Sequence, residues 1–522
     1  MQRQRFFLAL VIALAMLTAL AGPSRAGEKP FVIAMRGDAT TMDPHGRTED
    51  TNQMILGHIF SKLVTVDPKN TIVPELARSW KKVDDLTWEF SLHKGLKFTN
   101  GEPINAAAVK YSIERALNHP KSQFAHTVPD YKELVAVDES TFRLVLKKPN
   151  PEVLQLLPTL VIIPPKYYQS QPDTHLAANP VGGGPYKFVK WVKGEYLELE
   201  RNDAWPLVKP DFSRVRFRPI PEDATRVAAL ISGEVDVAAA LPIADLPRIK
   251  GSKNTFLLRC PSERVIHLMF DVHTKEGGPA PEKQPGIPAG KPNPFRDVRV
   301  RQAVAHAINV QELIDQVMEG SAYPATQMIS AHVDGFNPAI RIPKFDRAAA
   351  KKLLAEAGFP NGFEANLDAP NDRYINDRLM AEAIAGQLEE VGIKLNVIAQ
   401  PKAMFFAKID RFESPLYLGG WSSPSFEATY DKYVRVQTKK YGRNNRGRLN
   451  DPELERMLDE ASTTLDDGLR TKRRQAAALR IHNHFFLLPL YQEEIVTGVN
   501  ARVKSETCRV NEHIYSWDFK QK

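Results

Sequence analysis

Acidic and histidine residues in this sequence are spaced in ways that do not suit catalysis. Asp84–Asp85, Asp466–Asp467 and Glu493–Glu494 are adjacent pairs, and adjacency does not place two carboxylates across a glycosidic bond. His482 and His484 are two residues apart, so on a helix they point in different directions and make a weak metal pair. The G-x-S-x-G, H-E-x-x-H, G-x-G-x-x-G and Walker motifs are missing. The sequence therefore indicates no catalytic centre, no metal site and no cofactor.

Loops that follow predicted strands carry side chains better suited to holding a ligand. Ligands of α/β proteins bind where loops leave the carboxyl ends of strands. Arg373 comes just ahead of a predicted helix, where a guanidinium and free N–H groups suit an anion, although it could equally be a solvated surface residue. Trp421 follows a glycine pair and precedes two hydroxyls, so it is either a platform for a ligand or a core residue. The candidates in these loops are Thr40, Asp271, Arg373, Trp421, Ser422 and Ser423.

A further polar loop lies ahead of a helix that Asp451 should begin. Its Asn445 and Arg446 could orient a carboxylate or could simply be solvated. We include both residues in the candidate ligand-binding set, with these two interpretations left open.

The elements that would position these residues alternate between strand and helix. The pattern predicts a strand at Phe363–Leu367, a helix at Asn376–Val391 and a strand at Ile393–Ile398, which form the clearest β-α-β unit of the chain. A short strand at Pro415–Leu418 should precede the loop that holds Trp421. Residues 71–179 instead mix strands, turns and repeated prolines, which predicts an α+β subdomain inserted into a larger α/β fold.

Length and composition fit a folded protein of several domains. The chain has 522 residues, of which 43% are hydrophobic and 25% charged, and domains hold about 100–200 residues each. Its two cysteines exclude a disulfide-dense scaffold and a zinc site with three cysteine ligands.

The first 26 residues have the parts of a secretory signal peptide. Arg3 and Arg5 give a positive start, an apolar run follows from Phe6 to Ala21, and Ser24-Arg25-Ala26 is a small-residue cleavage site. The apolar run is shorter than the roughly 20 residues of a membrane-spanning helix. We expect a mature chain that starts at Gly27, or at Gly22 as second choice, in the periplasm and without a lipid-anchor cysteine.

The charge of that mature chain argues against nucleic acid as a partner. The full sequence has 70 Lys and Arg against 62 Asp and Glu. Removal of residues 1–26 takes away three arginines and no acid, which leaves 67 against 62. So small an excess, with no concentrated basic arm, is not typical of a nucleic-acid-binding protein.

Several short motifs in one order resemble the bacterial extracellular solute-binding protein family 5, the peptide, dipeptide, nickel and opine receptors of ABC importers. Asn179-Pro180-Val181-Gly182-Gly183-Gly184-Pro185-Tyr186 is similar to the family's N-P-V-G-T-G-P-Y, with Gly183 in place of the usual threonine. The resemblance covers nearly the whole mature chain. Its other motifs are at 41–45, 72–80, 92–98, 225–230, 233–236, 295–303 and 355–360.

The resemblance implies a two-lobe Venus-flytrap fold of the α/β class, with an extra α+β subdomain on the first lobe. It implies hinge closure around a solute, delivery to an inner-membrane ABC permease, no membrane anchor and a monomer. We expect a signal peptide, a first part of lobe I, the inserted subdomain, a second part of lobe I, lobe II and a C-terminal return to lobe I, at 1–26, 27–70, 71–179, 180–265, 266–489 and 490–522.

The solute class stays open at this point. Peptide-binding relatives place an aspartate shortly after the Gly-Trp of the second lobe, where it pairs with the peptide ammonium. Here no acid follows Gly420-Trp421 until Glu427. A buried ammonium needs a countercharge, so either Glu427 or another acid substitutes, or the solute lacks that group. The alternatives to a peptide are an opine-like conjugate or a metal chelate, and a secreted two-lobe hydrolase is the remaining contrary reading.

Cys260 and Cys508 are the only cysteines, so one intramolecular disulfide is possible, and we hypothesise that it forms. In the resembling family the C-terminal segment returns to the first lobe, which would bring Cys508 toward Cys260. The alternative is two separate buried thiols.

Overall fold

The computed structural model of the protein describes residues 29–125, 128–273, 285–423, 425–438 and 441–522. The predicted signal peptide and Pro424 lie outside these ranges. The strands are β1 (Phe31–Met35), β2 (Val64–Val66), β3 (Ile72–Pro74), β4 (Ala77–Lys82), β5 (Thr87–Leu92), β6 (Tyr131–Asp138), β7 (Thr141–Leu146), β8 (Tyr186–Val192), β9 (Tyr196–Arg201), β10 (Arg214–Pro219), β11 (Val237–Ala238), β12 (Thr255–Phe270), β13 (Ala322–Pro324), β14 (Phe363–Pro370), β15 (Ile393–Gln400), β16 (Leu416–Ser422), β17 (Leu487–Asn500), β18 (Val503–Lys504) and β19 (Lys520–Gln521).

Helices alternate with these strands along the chain. They are α1 (Asp50–Ile59), α2 (Ala106–Asn118), α3 (Val153–Leu156), α4 (Pro165–Ser170), α5 (Asp173–Leu176), α6 (Asp223–Ser232), α7 (Leu246–Gly251), α8 (Val298–Ala307), α9 (Val310–Val317), α10 (Arg347–Glu356), α11 (Asp377–Glu389), α12 (Lys402–Asp410), α13 (Phe426–Tyr433), α14 (Pro452–Thr463) and α15 (Asp467–His484). In the part of the chain that is described, no helix combines the length and the apolar character needed to cross a membrane.

A long mixed sheet runs through the molecule in the order β15-β14-β16-β12-β17-β11-β1-β10-β9-β8. We call the side with β1 and β8–β11 lobe I and the side with β14–β16 lobe II. Strands β14 and β15 are parallel, as are β1 and β10. Each lobe therefore has the parallel pairs, covered by helices, that an α/β architecture requires.

Two long antiparallel strands, β12 and β17, connect the lobes. The first half of β12 pairs with the end of β17, and its second half pairs with the start of β17 and with β16. Their register shifts between Pro261 and Val265, since proline cannot donate to the ladder and favours a bulge. The two lobes therefore meet at an irregular crossing.

A second, separate sheet is antiparallel and has the order β4-β5-β7-β6. Strand β7 alternates between buried and half-buried positions, and α2 covers the buried face of the sheet through residues such as Val109 and Ile113. Asn105 begins α2 by accepting the N–H of Ala108 at 3.0 Å. This sheet lies within the predicted insertion; the boundaries 71–179 and the other domain limits stay a prediction.

The predicted β-α-β unit of lobe II is confirmed, with one correction nearby. Strand β16 was expected to end at Leu418, but it continues to Ser422, so Trp421 and Ser422 lie in the strand and not in a loop after it. The glycine pair is there for close packing. A Cβ at Gly420 would lie 2.6 Å from the Tyr374 ring, and one at Gly419 would lie 3.1 Å from the His267 ring.

Candidate functional site

The loops after β14 and β16 emerge side by side in lobe II. The two strands are parallel neighbours, with Asp368 opposite Tyr417, so their carboxyl ends share one edge of the sheet. The Tyr374 hydroxyl donates to the Gly420 carbonyl at 3.3 Å. The Arg373 loop and the end of the Trp421 strand are therefore adjacent.

Arg373 is an exposed arginine on a firmly held loop. The Asp377 carboxylate accepts the backbone N–H groups of Arg373 and Tyr374, both at 3.0 Å. The next N–H, of Ile375, donates to the Glu493 carboxylate at 3.2 Å. The guanidinium lies 5.3 Å from the centre of the Tyr374 ring. The backbone is thus fixed while the charged group faces solvent.

A group of charged residues lies beside this loop, at the crossing of the long strands. Arg264 of β12 pairs with Glu493 of β17 at 3.2 Å and with Glu512 of the C-terminal segment at 3.3 Å. Burial raises the pKa of the Glu493 carboxyl to about 7, although Arg264 lowers it. Contacts therefore run from the C-terminal segment, through the crossing, to the loop of Arg373.

Asp50 presents an acid from lobe I to the same region. It is the first residue of α1, and its side chain reaches solvent. Burial raises the pKa of the Asp50 carboxyl, and the Glu512 carboxylate adds to the rise. Arg264 and Arg373 lower that pKa. Asp50 is thus an exposed acid on the lobe I side that is close enough to Arg264 of the crossing and Arg373 of lobe II for their charges to act on it.

Thr40 lies on the loop that wraps the first turn of α1. Its backbone N–H donates to Asn52 Oδ1 at 2.9 Å, and its hydroxyl donates to Glu49 Oε2 at 3.0 Å. The side chain is exposed close to Asp50 in sequence and structure. Thr40 therefore remains a candidate on the lobe I side.

Trp421 is half-buried and packed on one face. Its Nε1–H donates to the Thr429 hydroxyl at 3.0 Å, and its ring meets the Tyr433 ring edge-on at 5.3 Å. The Lys432 ammonium lies 4.8 Å over the ring. The structure thus places Trp421 at the margin of the lobe II core, with part of the indole still open.

Several predicted side chains are engaged by the protein itself. Asp271 is buried, and Arg448 pairs with it through Nε at 3.1 Å. Asn445 is buried and bonds to the carbonyls of Arg435 and Leu449 at 2.9 and 2.8 Å. Asp271 follows the end of β12, which runs antiparallel to β16, so it lies at the edge of the sheet opposite the Arg373 loop. Both residues are engaged in holding lobe II loops in place.

The remaining candidates divide between engaged and accessible. Ser423 is buried, and its hydroxyl accepts the N–H of Ser425 at 3.2 Å. Ser422 is half-buried opposite Arg264 in the ladder. Arg446 is already paired with Asp410 at 2.7 Å, which makes it a weaker anion clamp than Arg373.

Glu427, considered as a substitute for the missing aspartate, has an arginine partner. Arg474 Nε donates to one of its carboxylate oxygens at 2.8 Å, and Arg474 Nη2 donates to the other at 2.6 Å. Glu427 is thus already paired, whereas Asp50 is an exposed acid near the same region and is a candidate that the sequence analysis did not name. Sequence reasoning missed it because it reads as an ordinary acid in the first turn of a helix.

Cys260 and Cys508 are joined by a disulfide in the structure, with their Cα atoms 5.9 Å apart. Cys260 directly precedes the bulge of β12, and Cys508 is four residues before Glu512. The bond therefore ties the C-terminal segment to the crossing. Among the described residues, no group of three or more His, Cys, Asp or Glu side chains is placed to hold a metal ion.

Comparison with known proteins identifies the fold and the family together. The profile of the bacterial extracellular solute-binding proteins, family 5, middle region, matches residues 71–441. The chain belongs to this family. The predicted family and the two-lobe α/β fold are thereby confirmed.

Relatives of similar length show which proteins the chain is like. The glutathione-binding protein GsiB of Escherichia coli (strain K12) is 26% identical over 505 residues, which cover 94% of each chain. HbpA2 from Haemophilus parasuis has a TM-score of 0.81 at 23% identity, over 95% of this chain and 100% of that one. AgaA from A.tumefacien R10, solved with agropinic acid, has a TM-score of 0.74 at 26% identity, over 95% and 99%. The protein is thus a solute-binding protein by family.

Proposed function

We propose that the protein is the periplasmic solute-binding component of an ABC importer and that its solute is a peptide-like zwitterion of the glutathione type. The observation that supports the proposal is that the two lobes present opposite charges to the same region, since the charge of Arg373 acts on the Asp50 carboxyl. Arg373 presents a fixed, exposed guanidinium from lobe II, and Asp50 presents an open carboxylate from lobe I. A peptide-like solute has a carboxylate for the first and an ammonium for the second.

The absence of aspartate after Gly420-Trp421 favours this arrangement over the usual peptide site. Asp50 supplies the countercharge from the opposite lobe, so the ammonium would be held only when the lobes approach. Trp421, Ser422 and Thr40 would line the space between the two charges. The similarity to GsiB, a glutathione-binding protein, supports a small peptide with more than one carboxylate.

The rest of the proposal follows from the family role. The protein would capture and deliver its solute unchanged, without catalysis or a cofactor, as a monomer that docks on an inner-membrane permease. Export would use residues 1–26 as a cleaved signal peptide. A non-peptide conjugate is the second candidate solute, and AgaA, solved with agropinic acid, supports it.

Calorimetric titration and identification of co-purified solute test the function. Reduced glutathione should bind saturably and raise the melting temperature, and Arg373→Ala should remove most of that rise. Mass spectrometry of the solute released by denaturing freshly purified protein gives an independent answer. A released non-peptide solute, together with no binding of glutathione or of a dipeptide panel, would refute the peptide-like class.

A further inference from the structure

A buried cluster of charges surrounds Arg474 of α15, away from the Arg373 edge. Arg474 is 1% exposed. Its guanidinium donates to both carboxylate oxygens of Glu427, to Asp334 and to Glu152. The other carboxylate oxygen of Glu152 accepts the hydroxyl of Ser425 at 2.5 Å. These side chains form a connected network, in which each has at least one hydrogen-bond partner.

The network joins two parts of the molecule that the chain separates widely. Glu152 lies just before α3, and the next residue, Val153, is in the core of the separate antiparallel sheet. Ser425, Glu427 and Arg474 belong to lobe II, and 322 positions separate Glu152 from Arg474. The contact therefore bridges the subdomain of lobe I and the helices of lobe II.

The bridge also reaches the candidate solute site. Ser425 begins α13, where its hydroxyl accepts the N–H of Ala428 at 3.2 Å. Its carbonyl accepts the Thr429 hydroxyl at 2.9 Å, and that hydroxyl in turn accepts the indole N–H of Trp421. Glu152 is thus connected, through Ser425 and Thr429, to the hydrogen bond that orients Trp421.

We propose that Glu152 is the latch that holds the two lobes together, with Arg474 and Ser425 as its receptor on lobe II. The inference goes beyond solute binding, because it concerns the closed arrangement itself and not contacts with a solute. Gly335, which has a φ of +97°, leaves space for Arg474. A Cβ at position 335 would lie 2.6 Å from the Arg474 Cβ and 2.6 Å from the Phe426 ring. Only glycine leaves room for the buried arginine at that point.

The latch brings an excess of acids around one guanidinium. Glu152, Glu427 and Asp334 all face Arg474, while the nearby Arg470 lies 3.7 Å from Asp334 and is shared with Asp467. Burial raises the pKa of the Glu427 carboxyl to about 8, and the charge of Glu152 adds to the rise. Opening would remove Glu152 and admit water, so the Glu427 pKa would fall toward its ordinary range.

Closure therefore takes up a proton in the window between the ordinary glutamate pKa and about pH 8. A group whose pKa is raised in the closed state favours closure at low pH and opposes it as the pH rises. For one fully coupled proton, the ratio of closed to open protein falls by up to about tenfold per pH unit in that window. Above about pH 8, the ratio of closed to open protein no longer depends on this proton.

Small-angle X-ray scattering of the solute-free protein tests the latch without needing to know the solute. Glu152→Gln should increase the radius of gyration at pH 6. Glu133→Gln, which neutralises an exposed acid on β6 of the same small sheet, should leave it unchanged. In Glu152→Gln, Arg474 still has Glu427 and Asp334 as partners, so we expect the variant to fold. Melting curves check this. Equal radii for wild type and a folded Glu152→Gln would overturn the proposal.

A pH series separates the proton from the latch. The radius of gyration of the wild type should rise between pH 6 and pH 9, and that of Glu427→Gln should stay at the low-pH value. A wild-type radius independent of pH, or the same pH response in Glu427→Gln, would overturn the proton linkage. Titration with reduced glutathione then adds a solute arm: Glu152→Gln should bind at least about tenfold more weakly. Because scattering needs no solute, failure of glutathione to bind would count against the proposed function alone.

Discussion

Replacing Arg373 with alanine should weaken the binding of reduced glutathione about 30-fold while leaving the fold intact. The guanidinium is exposed above the Tyr374 ring, and its loop is held by backbone hydrogen bonds to Asp377 and Glu493 that do not involve the side chain. Truncating a desolvated charge pair costs about 2–5 kcal/mol. Arg373 lies at an open edge, so we take about 2 kcal/mol, which is a factor of roughly 30 at 1.4 kcal/mol per decade.

Isothermal titration calorimetry at pH 7, with melting curves alongside, measures this effect. Arg378→Ala is the matched control, because Arg378 is an exposed arginine of α11 that pairs with Glu382 one helical turn away at 3.0 Å. We expect the control to bind within twofold of wild type. Wild-type affinity in Arg373→Ala would refute the anion clamp, and an equal loss in Arg378→Ala would show that general charge, and not Arg373, governs binding.

The proposed contact between Asp50 and the solute ammonium is tested with a solute that lacks this ammonium. Asp50→Asn should weaken reduced glutathione by about tenfold or more, and it should have little effect on N-acetylglutathione, which has no ammonium to pair. Arg373→Ala should weaken both compounds. The attraction of an acid to the first turn of a helix is typically worth about 0.3–1 kcal/mol, and burial opposes it here, so the fold should survive. Equal losses for the two compounds in Asp50→Asn would contradict the assignment of the ammonium to Asp50.

Three further predictions concern packing, the disulfide and export. Trp421→Ala should lower the free energy of unfolding by about 2 kcal/mol, less than the 3–5 kcal/mol of a fully buried aromatic, and should also weaken solute binding; a normal melt with normal affinity would remove it from the site. The disulfide closes a loop across 248 positions and contributes up to about 5 kcal/mol to the free energy of unfolding in the chain-entropy model. The double variant Cys260→Ser/Cys508→Ser should therefore unfold at a lower denaturant concentration than wild type. Two free thiols in denatured, unreduced wild type would reject the bond. N-terminal sequencing of periplasmic extract should start at Gly27, and an intact N-terminus in the membrane fraction would contradict export by cleavage.

Local signals in the sequence were enough to predict many of the elements. Asp451 was expected to begin a helix, and it does so by accepting the backbone N–H of Leu454 at 3.1 Å. Asn105 and Asp346 begin helices in the same way. The β-α-β unit of lobe II followed from the change of hydrophobic period between strand and helix. These features depend on residues within one turn or one strand, which is why they can be read from a short window.

Site residues were harder to predict because their partners are distant in sequence. Asp271 has the residue type and loop position expected of a ligand-binding acid, but its carboxylate is paired with Arg448, 177 positions later. Glu427 is satisfied in the same way by Arg474, 47 positions later. Nothing local distinguishes a buried, paired acid from an open one. The exposed position of Arg373 could be predicted from a local pattern, a strand end followed by a helix start, and its role in binding stays a prediction.

The crossing of β12 and β17 explains why the C-terminal segment matters for the site. The disulfide fixes Cys508 to β12, and Glu512 then lies against Arg264 at 3.3 Å. Arg264 neutralises Glu493, which in turn accepts the N–H of Ile375 in the loop of Arg373. If Glu512 is released, Arg264 loses one of the two acids that position it and can shift, so Glu493, the acceptor for the loop of Arg373, is held less firmly. Loss of the disulfide should therefore weaken solute binding as well as stability, even though neither cysteine touches the space between Asp50 and Arg373.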